Sequence, residues 1–268
     1  MRRVFKASSV LVVALGAMLF QGPVACSLSS DSTTGKRITL DVDIVATPES
    51  THAFTNAYGW SVTIDEALVA TGPLYYYEGA TIFSQRDSVT DWFGIRSAHA
   101  HPGHYIPGNA VGQMLVASSA DLMKGTTRLG AGDGVTGTFR SATFSFQTPA
   151  QGPLASSLVG NAAVIEGTAT KGADTRTFRA EVTAEEILNT ESKPVVEGCP
   201  FEEFVVADSG VVTIHVALPL WFDQVDFSTL PVPAAGQAAE PFPKDSEARN
   251  GLVRGMKAGL GYTFAYGK

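Results

Sequence analysis

Arg37-Ile38-Thr39-Leu40-Asp41-Val42-Asp43-Ile44-Val45-Ala46 puts Ile38, Leu40, Val42 and Ile44 on one face of an extended chain and Thr39, Asp41 and Asp43 on the other. Alternation with a period of two marks a half-buried strand. The pattern recurs downstream. Trp60, Val62 and Ile64 alternate with Ser61, Thr63 and Asp65 through about Ala70, with Trp60 expected as a core plug. Gly112 to Ala117, Gly137 to Thr148, Asn161 to Thr170 and Arg176 to Val182 read as further strands. Phe201 to Ala207 and Val211 to Leu218, separated by Asp208-Ser209-Gly210, read as a β-hairpin, and Gly261 to Tyr266 as a last strand.

Helical signals are few. Thr183-Ala184-Glu185-Glu186 fits a capping box, Ser246 can cap a helix through about Lys257, and Ala120 to Met123 and Pro219 to Leu230 suggest helical turns. Gly130-Ala131-Gly132-Asp133-Gly134 lacks the Lys-Ser/Thr ending of a phosphate loop and opens no amphipathic helix, so a β-turn is expected there. The 27 glycines and 14 prolines, with only 17% charged residues, favour short strands and tight turns over long helices. The expected fold is therefore all-β: an antiparallel β-sandwich with a few short helices, in one domain over residues 37–268.

The first residues read as an export signal. Arg2, Arg3 and Lys6 form a positive region, and Val10 to Phe20 is an apolar run too short to span a bilayer stably. Pro23-Val24-Ala25-Cys26 resembles the lipobox of bacterial lipoproteins, which implies lipidation of Cys26 and removal of residues 1–25; Pro23 stands where leucine is usual, which leaves ordinary signal cleavage open. Ser27 implies, by the same resemblance, sorting to the outer membrane, with 26–36 as a Ser/Thr-rich tether. Lipidation of Cys26 would leave Cys199 as a lone thiol; otherwise a Cys26–Cys199 bridge competes. The whole chain has a net charge of −7 from 19 Lys+Arg and 26 Asp+Glu; without Arg2, Arg3 and Lys6 the count is 16 against 26, or −10. That balance argues against nucleic acid and anionic membrane surfaces as partners.

Three of the five histidines fall in His99-Ala100-His101-Pro102-Gly103-His104-Tyr105-Ile106-Pro107-Gly108. His99 and His101 point to the same side of an extended backbone, and Pro102-Gly103 lets the chain reverse and bring His104 to the same point. Clustered neutral imidazoles suit zinc, copper, nickel or iron. The plainer alternative is a polar loop with solvated histidines. His215 or His52 would be a fourth ligand if folding brings it near, although His215 on a strand equally fits a satisfied core histidine and His52 an exposed loop residue. Met114 and Cys199 are soft donors that would suit copper(I), but a buried methionine ordinarily packs.

Catalytic patterns are weak. The His-x-His-x-x-His spacing is similar to the metallo-β-lactamase motif, but Gly103 replaces its aspartate; there is no Gly-x-Ser-x-Gly elbow; and the adjacent carboxylates Glu185/Glu186 and Glu202/Glu203 read as solvated faces. The protein is therefore not expected to be an enzyme. The row Tyr75-Tyr76-Tyr77 offers an aromatic patch for a glycan or a protein partner.

The runs Gly59 to Ile64, Gly72 to Tyr75, Trp221 to Phe227 and Arg249 to Tyr266 resemble the layout of exported β-sandwich proteins found with methanobactin-type copper systems. The histidine segment also resembles that of uncharacterised bacterial lipoproteins carrying His-x-His-Pro-Gly-His-Tyr. These resemblances imply a metal-binding or metal-trafficking role at the cell envelope, with an envelope transporter or receptor as partner. They imply no reaction. The expectation is a lipoprotein that binds zinc or copper through His99, His101 and His104; the alternative is a non-catalytic surface lipoprotein that binds through exposed aromatics.

Overall fold

The computed structural model describes residues 35–81, 105, 107–232 and 238–268, which belong to one compact unit, Thr34–Lys268. In chain order the strands are β1 (Arg37–Ala46), β2 (Phe54–Thr55), β3 (Ser61–Thr71), β4 (Leu74–Tyr77), β5 (Ala110–Met114), β6 (Ser118–Asp121), β7 (Thr127–Val135) and β8 (Gly137–Ser145). After the one-turn helix α1 (Ala155–Leu158) come β9 (Ala163–Lys171), β10 (Asp174–Val182), β11 (Val195–Val206) and β12 (Gly210–Val216). The helices α2 (Leu218–Phe222) and α3 (Glu247–Met256) precede the last strand, β13 (Tyr262–Gly267).

The mostly-β character with few short helices is as expected, but the sheets are not an antiparallel sandwich. Eight strands close into a barrel in the order β1-β12-β13-β11-β8-β4-β5-β7, and β10-β9-β3-β2 form a second sheet that β6 joins beside β3. The barrel is mixed, because β1 runs parallel to β12 and β11 parallel to β13. The expected hairpin between β11 and β12 does not form. β13 enters between them, antiparallel to β12 from Val211↔Gly267 to Val216↔Tyr262 and parallel to β11 at Phe201↔Phe264. A strand that carries Tyr262 and Phe264 into the core gains backbone partners on both sides there. The turn signal at Asp208 to Gly210 is satisfied by a sharp bend between strands that are not neighbours.

Side chains fill the barrel. The Tyr76 ring lies 5.9 Å from those of Phe139 and Phe201 and 6.0 Å from that of Phe264, while Phe144 stacks on Tyr262 at 4.4 Å. Phe146 and Tyr262 in turn meet Trp221 of α2. An eight-stranded barrel is just wide enough to be filled in this way. Trp60 is buried as expected, with its Nε1 donating to Asp226.

Gly130 to Gly134 form no turn; they are the middle of β7. Gly130, Gly132 and Gly134 pair with Val42, Leu40 and Ile38 of β1. A Cβ on Gly132 would lie 2.3 Å from the Gln113 carbonyl oxygen, and one on Gly134 would lie 2.9 Å from Leu40 Cδ1. Glycine within a strand often marks such a close approach, and composition alone does not separate it from a turn. The helices use the same device. Gly251 and Gly255 of α3 would drive a Cβ to 2.0 Å from the Gln224 oxygen and 2.4 Å from the Trp221 oxygen, so the bare face of α3 sits on the backbone at and beyond α2.

Ser246 caps α3 as expected, accepting from Arg249 N. The Thr183 capping box is present, but its helix is only a 3-10 turn, Ala184–Glu186. Glu186 is not part of a solvated face. Arg249, only 4% exposed, grips it with Nε–Oε1 at 2.5 Å and Nη2–Oε2 at 2.8 Å and donates from Nη1 to the Phe242 carbonyl. Burial alone would raise the Glu186 pKa, but Arg249 and the Thr183 donors hold it below the usual carboxylate value.

A carboxyl whose folded pKa is depressed stabilises the fold above its unfolded pKa, and that contribution is lost as pH falls through the folded value. Glu186→Gln keeps the capping geometry and leaves Arg249 without its counter-charge. Chemical denaturation at pH 7 should show a loss of about 3 kcal/mol, shrinking towards zero as the pH is lowered below the carboxylate range. Gly132→Ala should cost about 2 kcal/mol by overpacking, whereas Gly137→Ala, with nothing within 4 Å of the new methyl, should leave the denaturation midpoint within about 0.5 kcal/mol of the parent.

Candidate functional site

The described residues that follow β4 and those that precede β5 lie side by side. β4 is held between β5 and β8, with Tyr75↔Thr143, Tyr76↔Ala142 and Tyr77↔Ser141 in register. Alternation turns Tyr76 into the core and Tyr75 and Tyr77 outward, where both are half-buried. The three tyrosines therefore do not form one exposed patch.

Beyond β4 the pairing continues. Glu78 N donates to Asn109 O at 3.3 Å, Gly79 N donates to Pro107 O at 2.9 Å, and Asn109 Nδ2 donates to the Glu78 carboxylate at 2.5 Å. Gly108 is left-handed at φ +71, and a Cβ there would press on Glu78 and Gly79 at 3.2 and 3.3 Å, so glycine lets the two stems touch.

Tyr105 locks the returning stem. Its hydroxyl lies 2.6 Å from Ser141 Oγ, and Ser141 in turn donates to the Gly79 carbonyl. A serine has one hydroxyl proton, and here it goes to Gly79, so the Tyr105 phenol must donate to Ser141. The Tyr105 ring lies over the bare backbone of Gly198, 3.7 Å from where a Cβ would stand. Burial pushes the Tyr105 pKa up to about 12, against a smaller opposing effect of the Ser141 hydrogen bond, so the phenol remains a donor at neutral pH. Glu197 lies on the exposed side of this surface and accepts from Asn189 Nδ2 at 2.9 Å.

His99, His101 and His104 lie outside the described residues, as does Cys26. His215 faces outward from β12, half-buried, in register with Val45 and Thr263, while its neighbours Ile214 and Val216 point into the core. His52 is exposed just after the short turn Pro48–Thr51. The β12 strand of His215 is separated from the β8 strand under Tyr105 by β13 and β11. Among the described residues, no three His, Cys, Asp or Glu side chains are placed to hold a metal ion. Met114 is fully buried, and Cys199 is a buried free thiol bonded to the Val196 carbonyl at 3.5 Å. Both belong to the packed core. No helix among the described residues is long and apolar enough to cross a membrane.

A separate cleft of about 490 Å³ opens beside β10, lined by Thr177, Phe178, Leu230, Pro231 and Phe242, and holds no cluster of ionisable groups. No known protein family, curated protein or solved structure matches this chain.

Sequence reasoning passed over the link between Tyr105 and Ser141. Tyr105 had a signal, since it directly follows His104; Ser141 had none, because only the register of β4 against β8 brings it to Gly79.

Burial also raises the Cys199 pKa strongly, which suppresses its thiolate and its reactivity. A thiol-specific disulfide reagent should leave Cys199 unmodified in the native protein at pH 8 and label it within minutes in concentrated guanidinium chloride; peptide mapping identifies the labelled residue.

Proposed function

We propose that this protein is an exported, lipid-anchored envelope protein that binds a transition metal, zinc or copper, through His99, His101 and His104. One observation favours a dedicated segment: Gly79 and Tyr105, which bracket the stretch containing these histidines, are hydrogen-bonded to the same serine of a barrel strand. A segment mounted by both ends on a rigid wall is how scaffolds usually present binding residues. The His-x-His-x-x-His spacing supplies three nitrogen donors of the type zinc accepts, and copper(II) binds such sites more tightly, so availability would select the ion. The core is already packed, and neither His52 nor His215 belongs to a described cluster, so the proposal rests on three ligands plus water or a donor from a partner.

The role that fits this reading is carriage of the ion rather than chemistry upon it, at the envelope location that the lipobox-like Pro23 to Cys26 suggests. An envelope transporter or receptor would exchange the ion. The rival reading, a glycan- or protein-binding lipoprotein using Tyr75 to Tyr77, is weakened because Tyr76 is wholly enclosed.

Isothermal titration of the purified metal-free protein should show uptake of about one equivalent of zinc or copper, and His99→Ala/His101→Ala should abolish it. Uptake by the double variant equal to that of the parent would falsify the assignment.

A further inference from the structure

We infer that the barrel rim carrying Phe204, Val205 and Tyr266 is a contact face for the lipid bilayer, so that the domain stands on the membrane by this end. The inference rests on the lipid-anchor reading above and is independent of the metal site.

Phe204 and Val205, near the end of β11, are 44% and 68% exposed. The Phe204 ring lies 5.1 Å from that of Tyr266, whose hydroxyl donates to the Asp208 carbonyl at 2.9 Å. Aromatic rings with an apolar body and one polar tip suit the boundary between acyl chains and headgroups, where exposed apolar surface leaves water. Exposed Lys36 and Arg37 at this end are matched by exposed Glu202 and Asp208, so the contact is apolar and neutral lipid suffices.

The point where the anchored chain enters the fold selects a bilayer as the occupant. Lys36 N donates to Thr136 Oγ1 and Thr136 N to Lys36 O, both at 2.9 Å, which pins the entry at the turn between β7 and β8. Gly137, the next residue, pairs with Val206, and Thr138 pairs with Val205. Cys26 and Lys36 are ten residues apart, and a flexible chain of that length spans about 17 Å. Leu220 and Leu260 are also exposed, but they lie at the opposite end, where β12 finishes and β13 begins. That end is a nine-residue strand away along β7, roughly 30 Å. A lipidated Cys26 therefore holds the near rim against the bilayer and the far rim off it. Because the anchor makes the second contact intramolecular, a small apolar patch is enough to orient the domain.

The test uses the mature protein, purified with its lipid and placed in phosphatidylcholine vesicles. Val205→Cys, or Leu260→Cys as the control, is labelled with an environment-sensitive fluorophore under native conditions, where buried Cys199 is shielded. The quencher is a lipid carrying a nitroxide near its headgroup. The label at 205 should lose roughly half its emission, since such faces sit about 5–10 Å into the headgroup boundary. The label at 260 should be unaffected. Phe204→Ser in the 205-labelled protein should reduce the quenching at least about twofold, with unchanged circular dichroism and unchanged flotation with the vesicles.

Protein that floats with vesicles while its 205 label is unquenched overturns the face and leaves the anchor standing. Quenching at 260 instead of 205, or quenching at 205 that Phe204→Ser leaves intact, also overturns it. Self-quenching between labelled copies in place of lipid quenching assigns the rim to a second copy and overturns it too. Mature protein with no lipid on Cys26 by mass spectrometry removes the anchor reading, and the inference falls with it.

Discussion

The barrel interior is closed to ligands by its own aromatic side chains, and the rest of the molecule follows from that. Tyr76, Phe139, Phe144, Phe201, Tyr262 and Phe264 come from four different strands and meet ring to ring, with Trp221 packed against Tyr262. Each of these rings removes a large apolar surface from water, and their mutual edge and face contacts add to that burial. Among the described residues, the middle of the barrel is occupied by packed side chains.

The same packing explains why close approaches are made by glycine. Where β7 meets β1 and β5, the inward positions Gly130, Gly132 and Gly134 let the wall draw in against Leu40 and the backbone of β5. Where α3 meets α2, Gly251 and Gly255 do the same for a helix. Polar groups follow a parallel rule. Arg249, a buried residue of α3, has its charge met by Glu186 and a remaining donor by Phe242 O. Such a pair fixes where α3 lies more than it adds net stability, since desolvation offsets much of the attraction.

On the outer wall, β4 leads into the stem that pairs with the residues preceding β5. Its inward tyrosine anchors it in the core, its outward tyrosines line the wall, and its continuation through Glu78 and Gly79 is zipped to Pro107 and Asn109.

The sequence by itself determined several of the strands and which face of those strands is buried. β1 has the bounds that alternation predicts, Ser246 begins α3, Thr183 and Glu186 form their box, and Ile214 and Val216 turn inward with His215 outward. These are local properties, fixed by a two-residue period or by a cap within four residues. Only the tertiary structure decided which strands are neighbours. β13 separates β11 from β12 although Asp208 to Gly210 reads as a hairpin turn, and the glycines of 130–134 lie in a strand paired with β1. The link from Tyr105 to Ser141 to Gly79 was hidden for the same reason. Backbone pairing is chemically uniform from one strand to the next, so partner choice depends on how all the side chains fill one volume together, and no stretch of chain carries that information alone.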